Sequence, residues 1–165
     1  TKGASAALVV NIPVTPQKPV EKDNRAEILK AYLEKYDSPL AEHAQTFIDE
    51  ADKNNLDWRL VAAIAGGEST FGHAIPSYSY NAWGYGVYGN NVRRFTSWDD
   101  GIATVSKAIR TDYLYDSEET NVYQIGKKYA ADPNWTAKTL RFMAEIDAVA
   151  TELENKPTIS LSLAL

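Results

Sequence analysis

Residues 62–72 read Ala62-Ala63-Ile64-Ala65-Gly66-Gly67-Glu68-Ser69-Thr70-Phe71-Gly72, and Asn81-Ala82-Trp83-Gly84-Tyr85-Gly86 follows eight residues later. The first stretch is an apolar helix that runs into a single carboxylate and stops. The second belongs to an aromatic, glycine-punctuated segment with almost no charge. Upstream of Glu68, residues 58 to about 67 are apolar almost all round, and a helix greasy on every side is the one that others bury. The pattern predicts a mostly α domain, six helices organised around one buried helix, with a small irregular or β-hairpin lobe after Glu68.

The other helices read outward from this one. Asn24 with Glu27 has the spacing of a capping box, and Ile28, Leu29, Tyr32, Leu33 and Tyr36 follow at helical spacing. Ser38-Pro39 restarts the chain as N-cap and first-turn proline, and Leu40, Ala44, Phe47, Ile48 and Ala51 form one stripe. Asn54-Asn55 ends that helix, and Asp57 caps the central one. Gly66 and Gly67 weaken its last turn by roughly 1 kcal/mol each relative to Ala, which makes sense where something must approach the backbone closely. Ser97 to Asp100 is a second capping box, opening a helix to about Tyr113 on Ile102, Val105 and Ile109. An acidic loop, 116–120, precedes a short helix over 121–129. Asp132-Pro133 caps the last helix, which carries Trp135, Phe142, Ile146, Val149 and Leu153.

The body is therefore 24–155. Residues 1–23 read as an extended N-terminal arm, with alternating Leu8, Val10, Ile12 and Val14 broken by Pro13, Pro16 and Pro19. Residues 156–165 read as a C-terminal strand or tail, with Ile159, Leu161, Leu163 and Leu165 alternating. Two lone amphipathic strands need a partner, so they pair with each other, drive self-association, or fray.

Composition excludes several chemistries. The 165 residues suit one domain with a real core, and 44% hydrophobic with 24% charged content is ordinary for a globular chain. A net charge of -5 speaks against a nucleic-acid partner. It also disfavours the helix-turn-helix reading that residues 51–64 around Asn54-Asn55-Leu56 invite. With no cysteine, neither disulfides nor thiolate chemistry is expected. His43 and His73 stand in no ligand spacing, so no metal and no cofactor is expected. No apolar run reaches membrane-spanning length. The chain begins at Thr1, and any signal or anchor is expected upstream of it.

Glu68 is the candidate for chemistry. A solvated or Arg-paired helix-terminal Glu is the ordinary alternative. Burial disfavours the charged form and raises a carboxyl pKa, and a carboxylic acid kept protonated near neutrality can serve as a general acid. The segment after it holds Tyr78, Tyr80, Trp83, Tyr85 and Tyr88, flat rings with polar tips that suit the faces of sugars. The expectation is that Glu68 protonates a glycosidic oxygen while Tyr80 and Tyr85 contact the sugar chain. Trp83 either joins them or packs the lobe. Asn81 either meets an N-acetyl amide or closes a turn. No Asp or Glu lies between Glu68 and Asp99, although glycosidases ordinarily use two carboxylates. Three routes remain: a distant base from Asp99, Asp100 or the 116–119 loop; the substrate's own N-acetyl group as nucleophile; or a single Glu working as acid then base while the sugar's 6-hydroxyl closes on the anomeric carbon.

Glu68-Ser69-x-Phe71-Gly72, eight residues, then Asn81-x-Trp83-Gly84-Tyr85 resembles the E-S-x-[W/F]-G and N-x-F-G-[I/V] signature of the glucosaminidase family of peptidoglycan hydrolases. Phe95-x-Ser97-Trp98 followed by a helix looks like the family's next segment, and Tyr129-Ala130-Ala131-Asp132-Pro133-Asn134-Trp135 is similar to its Y-A-T-D-P-N-Y stretch. The likeness covers roughly residues 57–142. Glu-Ser-x-Phe also resembles, more weakly, the lytic transglycosylases of the same lysozyme-like superfamily, whose G-L-M-Q element is absent. The resemblance implies a lysozyme-like fold, peptidoglycan glycan strands as the partner, and an extracytoplasmic location. It places Glu68 on the catalytic acid, Ser69 within that acid's motif, Asn81 and Trp83 on the cleft lining and Tyr129 in the cleft. Trp83 departs from the family's Phe and Gly86 from its frequent Lys, and the second carboxylate that some members carry in the lobe has no counterpart here.

Overall fold

A computed structural model describes residues 23–129 and 132–155. The arm and the tail expected over 1–22 and 156–165 lie outside the described residues, as do Ala130 and Ala131. Among the described residues six α-helices follow one another: α1 (Arg25–Glu34), α2 (Ala44–Lys53), α3 (Leu60–Ser69), α4 (Trp98–Ala108), α5 (Val122–Tyr129) and α6 (Trp135–Glu154). The mostly α class is the one expected. The centre is α3, on which Leu60 through Gly66 and Ser69 are buried while Gly67 and Glu68 reach the surface. Helix α6 packs along α3, α1 lies against α6 and α2, and α2 lies against α4. Each supplies one apolar stripe: Ile28, Leu29, Tyr32 and Leu33 from α1, Phe47 and Ile48 from α2, Ile102 and Val105 from α4, Phe142, Met143, Ile146 and Val149 from α6.

The helix starts differ from the simple capping patterns. Asn24 makes no side-chain cap. Asp23 accepts from the Arg25 N–H at 3.1 Å instead, and Arg25 also grips Asp52 on α2. Ser38 caps a turn by accepting from the Leu40 N–H at 3.1 Å, and a 3-10 turn over Ala41–His43 precedes α2. Ser97 does accept from Asp100 N–H at 3.1 Å, but Asp100 answers to the Thr96 N–H rather than to Ser97. After α4 the chain widens into a π turn over Ile109–Tyr113, closed by Leu114 N–H to Ile109 carbonyl at 3.0 Å. Such turns re-aim side chains near functional sites. Here the turn delivers Tyr113 to within 5.5 Å of the Tyr129 ring.

The lobe between α3 and α4 is irregular. In place of a β-hairpin, the described residues hold one isolated antiparallel bridge, Tyr88 with Asn91, across Gly89-Asn90. Helix α3 ends in a left-handed turn in which Thr70, Phe71 and Gly72 all have positive φ (51°, 55° and 89°). The Phe71 N–H returns to the Ala65 carbonyl at 3.0 Å, satisfying the helix end. A β-branched residue in this region is strained by on the order of 1–3 kcal/mol. The buried Phe71 ring, edge-on to Tyr32 and Phe142, holds the turn in place.

Candidate functional site

Glu68 lies in the last turn of α3, beyond the core, where it is reachable from solvent but crowded on its flanks. One carboxylate oxygen, Oε1, accepts from the Trp135 indole N–H at 2.8 Å. The other, Oε2, faces Gly84, where a Cβ would sit 3.5 Å away. Desolvation by these neighbours raises the Glu68 pKa above its ordinary 4.5. The Trp135 hydrogen bond and the Lys138 charge pull against that rise, and the Asp132 charge adds to it. The result is a surface-accessible carboxyl that holds its proton more tightly than an ordinary glutamate.

Hydrogen bonds from Ser69, Trp83 and Tyr129 clamp the aromatic loop beside it. Ser69 Oγ donates to the Ala82 carbonyl at 2.7 Å and accepts from the Gly72 N–H at 2.9 Å. The Trp83 indole donates to the Val61 carbonyl at 2.9 Å. The Tyr129 hydroxyl, carried on α5, donates to the Trp83 carbonyl at 2.6 Å. Desolvation first, and then the Glu68 charge, hold the Tyr129 phenol well above its ordinary pKa, so it remains a donor. Its ring stacks on Trp135 at 5.0 Å and 28°. Gly84 can take the φ of 62° that brings the loop backbone over the carboxylate.

These positions sort the expected site residues. Tyr85 and Tyr129 line one groove, and Glu68 lies outside that lining, next to its Gly84 edge. Its volume is about 240 Å³, and Gly84, Tyr85, Gly86, Val87, Tyr88, Tyr113, Lys128 and Tyr129 line it. Ser69, Asn81 and Trp83 are buried with their polar groups occupied, so their side chains cannot touch a ligand. Asn81 is the clearest correction. Its amide donates to the Tyr85 and Arg93 carbonyls at 2.8 and 3.0 Å, and its Oδ1 accepts from the Trp83 and Tyr85 N–H groups at 3.3 and 3.2 Å. It closes the turn, which leaves nothing for an N-acetyl amide. Trp83 is wholly buried against Phe47 and Phe95, completing the core because Gly101 on α4 makes room for its ring. Tyr80 stands outside the groove, edge-on to Trp98 at 5.3 Å.

Three of the candidate second acids, Asp99, Asp100 and Asp116, are engaged elsewhere. Asp99 accepts from Thr46 at 2.6 Å and bonds the His43 ring at 2.8 Å, fastening α4 to α2, and these bonds hold its pKa below the ordinary range. Asp100 is lowered in the same way by the Thr96 N–H and hydroxyl. Asp116 accepts from Gln124. The acid that does act on Glu68 is Asp132, which is paired with Lys138 at 2.7 Å. Sequence reading also passed over Trp135 as a Glu68 partner, treating it as core of α6. The available signal was its place at the end of the stretch that Tyr129 begins.

Two larger depressions lie elsewhere. One, of about 380 Å³, runs between α1 and α6, and its central carboxylate Glu145 already accepts from the Tyr32 and Tyr36 hydroxyls, each at 2.9 Å. The other, of about 370 Å³, lies along residues 117–123. Among the described residues no group of His, Asp and Glu could hold a metal ion, and no helix is long and apolar enough to cross a membrane. No family model matches this chain, and the curated proteins contain no significant match to it.

Proposed function

We propose that this chain is a lysozyme-like domain that acts outside the cytoplasm and cleaves β-1,4 bonds in the glycan strands of peptidoglycan, as an endo-β-N-acetylglucosaminidase. The observation that carries the reading is the setting of Glu68: one oxygen held by Trp135, the other facing the open backbone of Gly84 beside a tyrosine-lined groove, with desolvation raising its pKa. The resemblance of the Glu68, Asn81 and Tyr129 motifs to the glucosaminidases supports the same assignment.

In this reading the sugar chain lies along Tyr85, Tyr88, Tyr113 and Tyr129, and Glu68 gives its proton to the glycosidic oxygen as the bond to the anomeric carbon breaks. The carbonyl oxygen of the substrate's own acetamido group closes on that carbon. Water, losing a proton to the Glu68 carboxylate, then opens the ring. One bond and one water become two hydroxyls, and the acid regains its proton. The engagement of Asp99 and Asp100 at other contacts favours a second reading, a lytic transglycosylase. There the sugar's 6-hydroxyl attacks the anomeric carbon, its proton passes to Glu68, and no water is consumed.

Mass spectrometry of peptidoglycan digests separates these outcomes. Reducing N-acetylglucosamine ends support the glucosaminidase, and reducing N-acetylmuramic acid ends a muramidase. Anhydro-muramic ends establish the transglycosylase. No product at all contradicts both and leaves a glycan-binding module.

A further inference from the structure

Of the eight side chains and backbone segments lining the groove, one is charged: Lys128, in the last turn of α5. Its ammonium lies 4.5 Å from the centroid of the Tyr115 ring, and among the described residues it enters no ion pair. Two other cations have partners of their own. Lys138 is paired with Asp132 at 2.7 Å, and Arg93 packs over Tyr85 and Phe95 while acting on Asp100. A cation fixed over an aromatic face without a carboxylate keeps its capacity for an anion from outside. The setting reinforces this. The lobe facing Lys128 across the groove has no Asp or Glu from Ser69 to Trp98, yet it carries Arg93 and Arg94, in a chain of net charge -5. Asp112 and Asp116, which flank the Tyr113–Tyr115 segment, bond to the neutral donors Thr111 and Gln124. The single charge lining this groove is thus positive, although the chain as a whole is acidic.

We propose that Lys128 reads a carboxylate on the bound glycan, so that the protein selects an anionic, carboxylate-bearing polysaccharide over a neutral one with the same backbone. This inference rests on the polysaccharide reading above. The carboxylate has two sources, the free lactyl group of a muramic sugar that carries no peptide or the acids of an attached peptide stem. One partly exposed ion pair is worth up to about 1 kcal/mol, roughly a fivefold change in affinity.

The test is sedimentation of the Glu68→Gln protein, which leaves the polymer uncut, with three forms of insoluble peptidoglycan: native, carboxyl-amidated, and peptide-stripped with its lactyl carboxylates free. The expected result is binding about three- to fivefold weaker to the amidated form. Adding Lys128→Gln abolishes that difference, and adding Lys128→Arg or Lys127→Gln preserves it. Retained binding to the stripped form assigns the lactyl carboxylate, and weakened binding assigns the stem. Equal binding to native and amidated polymer, or a difference that survives Lys128→Gln, overturns the proposal. If carboxylate-dependent binding stands while the unmutated protein releases no fragments, the glycosidase reading falls and this one holds. Absence of binding to every form overturns both.

Discussion

The Trp135 indole N–H donates to Glu68 Oε1 at 2.8 Å, so the first residue of α6 holds the acid at the end of α3. A hydrogen bond to a carboxylate favours its charged form and lowers its pKa, which opposes the desolvation that raises it. Trp135→Phe keeps an aromatic ring to stack on Tyr129 and removes the donor. The Glu68 pKa rises further. A general acid works protonated, and its activity is lost as pH rises through its pKa. The alkaline limb of the kcat/KM profile therefore moves to higher pH in the variant, while kcat at the optimum falls because the carboxyl is less well aimed. A pH–rate series on a soluble glycan fragment measures both. An alkaline limb displaced downward would contradict the assignment of that limb to Glu68.

The same raised pKa has a consequence for stability. A carboxyl that is harder to ionise when folded leaves the native state binding more protons than the unfolded chain between pH 4.5 and the raised value. Its contribution is most favourable below the unfolded pKa and is lost as pH rises through the folded one. Glu68→Gln has no charge to desolvate. The variant is expected to melt slightly higher than the parent at pH 7, and the difference to close by about pH 4. The gain is small because solvent reaches the carboxylate on one side. Thermal melts at the two pH values check it.

Two adjacent glycines should respond in opposite ways. A Cβ at Gly66 would fall 2.5 Å from Phe71 Cζ and 3.1 Å from Phe142, inside the core. Gly66→Ala is expected to destabilise by about 1–3 kcal/mol through overpacking. At Gly67 nothing lies within 4 Å of a Cβ, so Gly67→Ala should gain about 0.5–1 kcal/mol from helix propensity. Urea denaturation of the pair decides the matter.

Asn81→Ala removes four hydrogen bonds from a buried turn and leaves backbone groups of Trp83, Tyr85 and Arg93 without that partner. The expected loss is about 2–4 kcal/mol of stability. Activity should fall with it, because Gly84 is no longer held over Glu68. An Asn81→Ala protein of unchanged stability with only a raised KM would instead place the amide on the ligand.

The apolar run before Glu68 was enough to identify α3 as the buried helix, because a strand or surface helix has no use for apolar residues on every side. The stripes of α1, α2, α4 and α6 were legible for the complementary reason. The caps were less so. Asn24 carries the right residue type, yet Asp23 makes the bond, because local sequence offers two acceptors and only the folded angle chooses. Glu68 stands out in the sequence as a single acid at the end of an apolar run, and the residues that position it do not. Asn81 and Trp83 read either as ligand contacts or as packing and turn residues, because polar and aromatic residues near an acid look alike whether they face outward or inward. Trp83 faces inward because Gly101 leaves a notch on α4, a relation across 18 residues that no periodicity records. The Trp135 to Glu68 bond spans 67 residues and was hidden in the same way.

The most direct measurement compares the rate at which reducing ends, or anhydro ends, are released from purified peptidoglycan by the unmutated protein and by Glu68→Gln, with folding of both verified by circular dichroism. General acid catalysis contributes roughly 10²–10⁴-fold. The account predicts a measurable rate for the unmutated protein and a loss of at least about 100-fold in the variant. Equal release by the two proteins would contradict it.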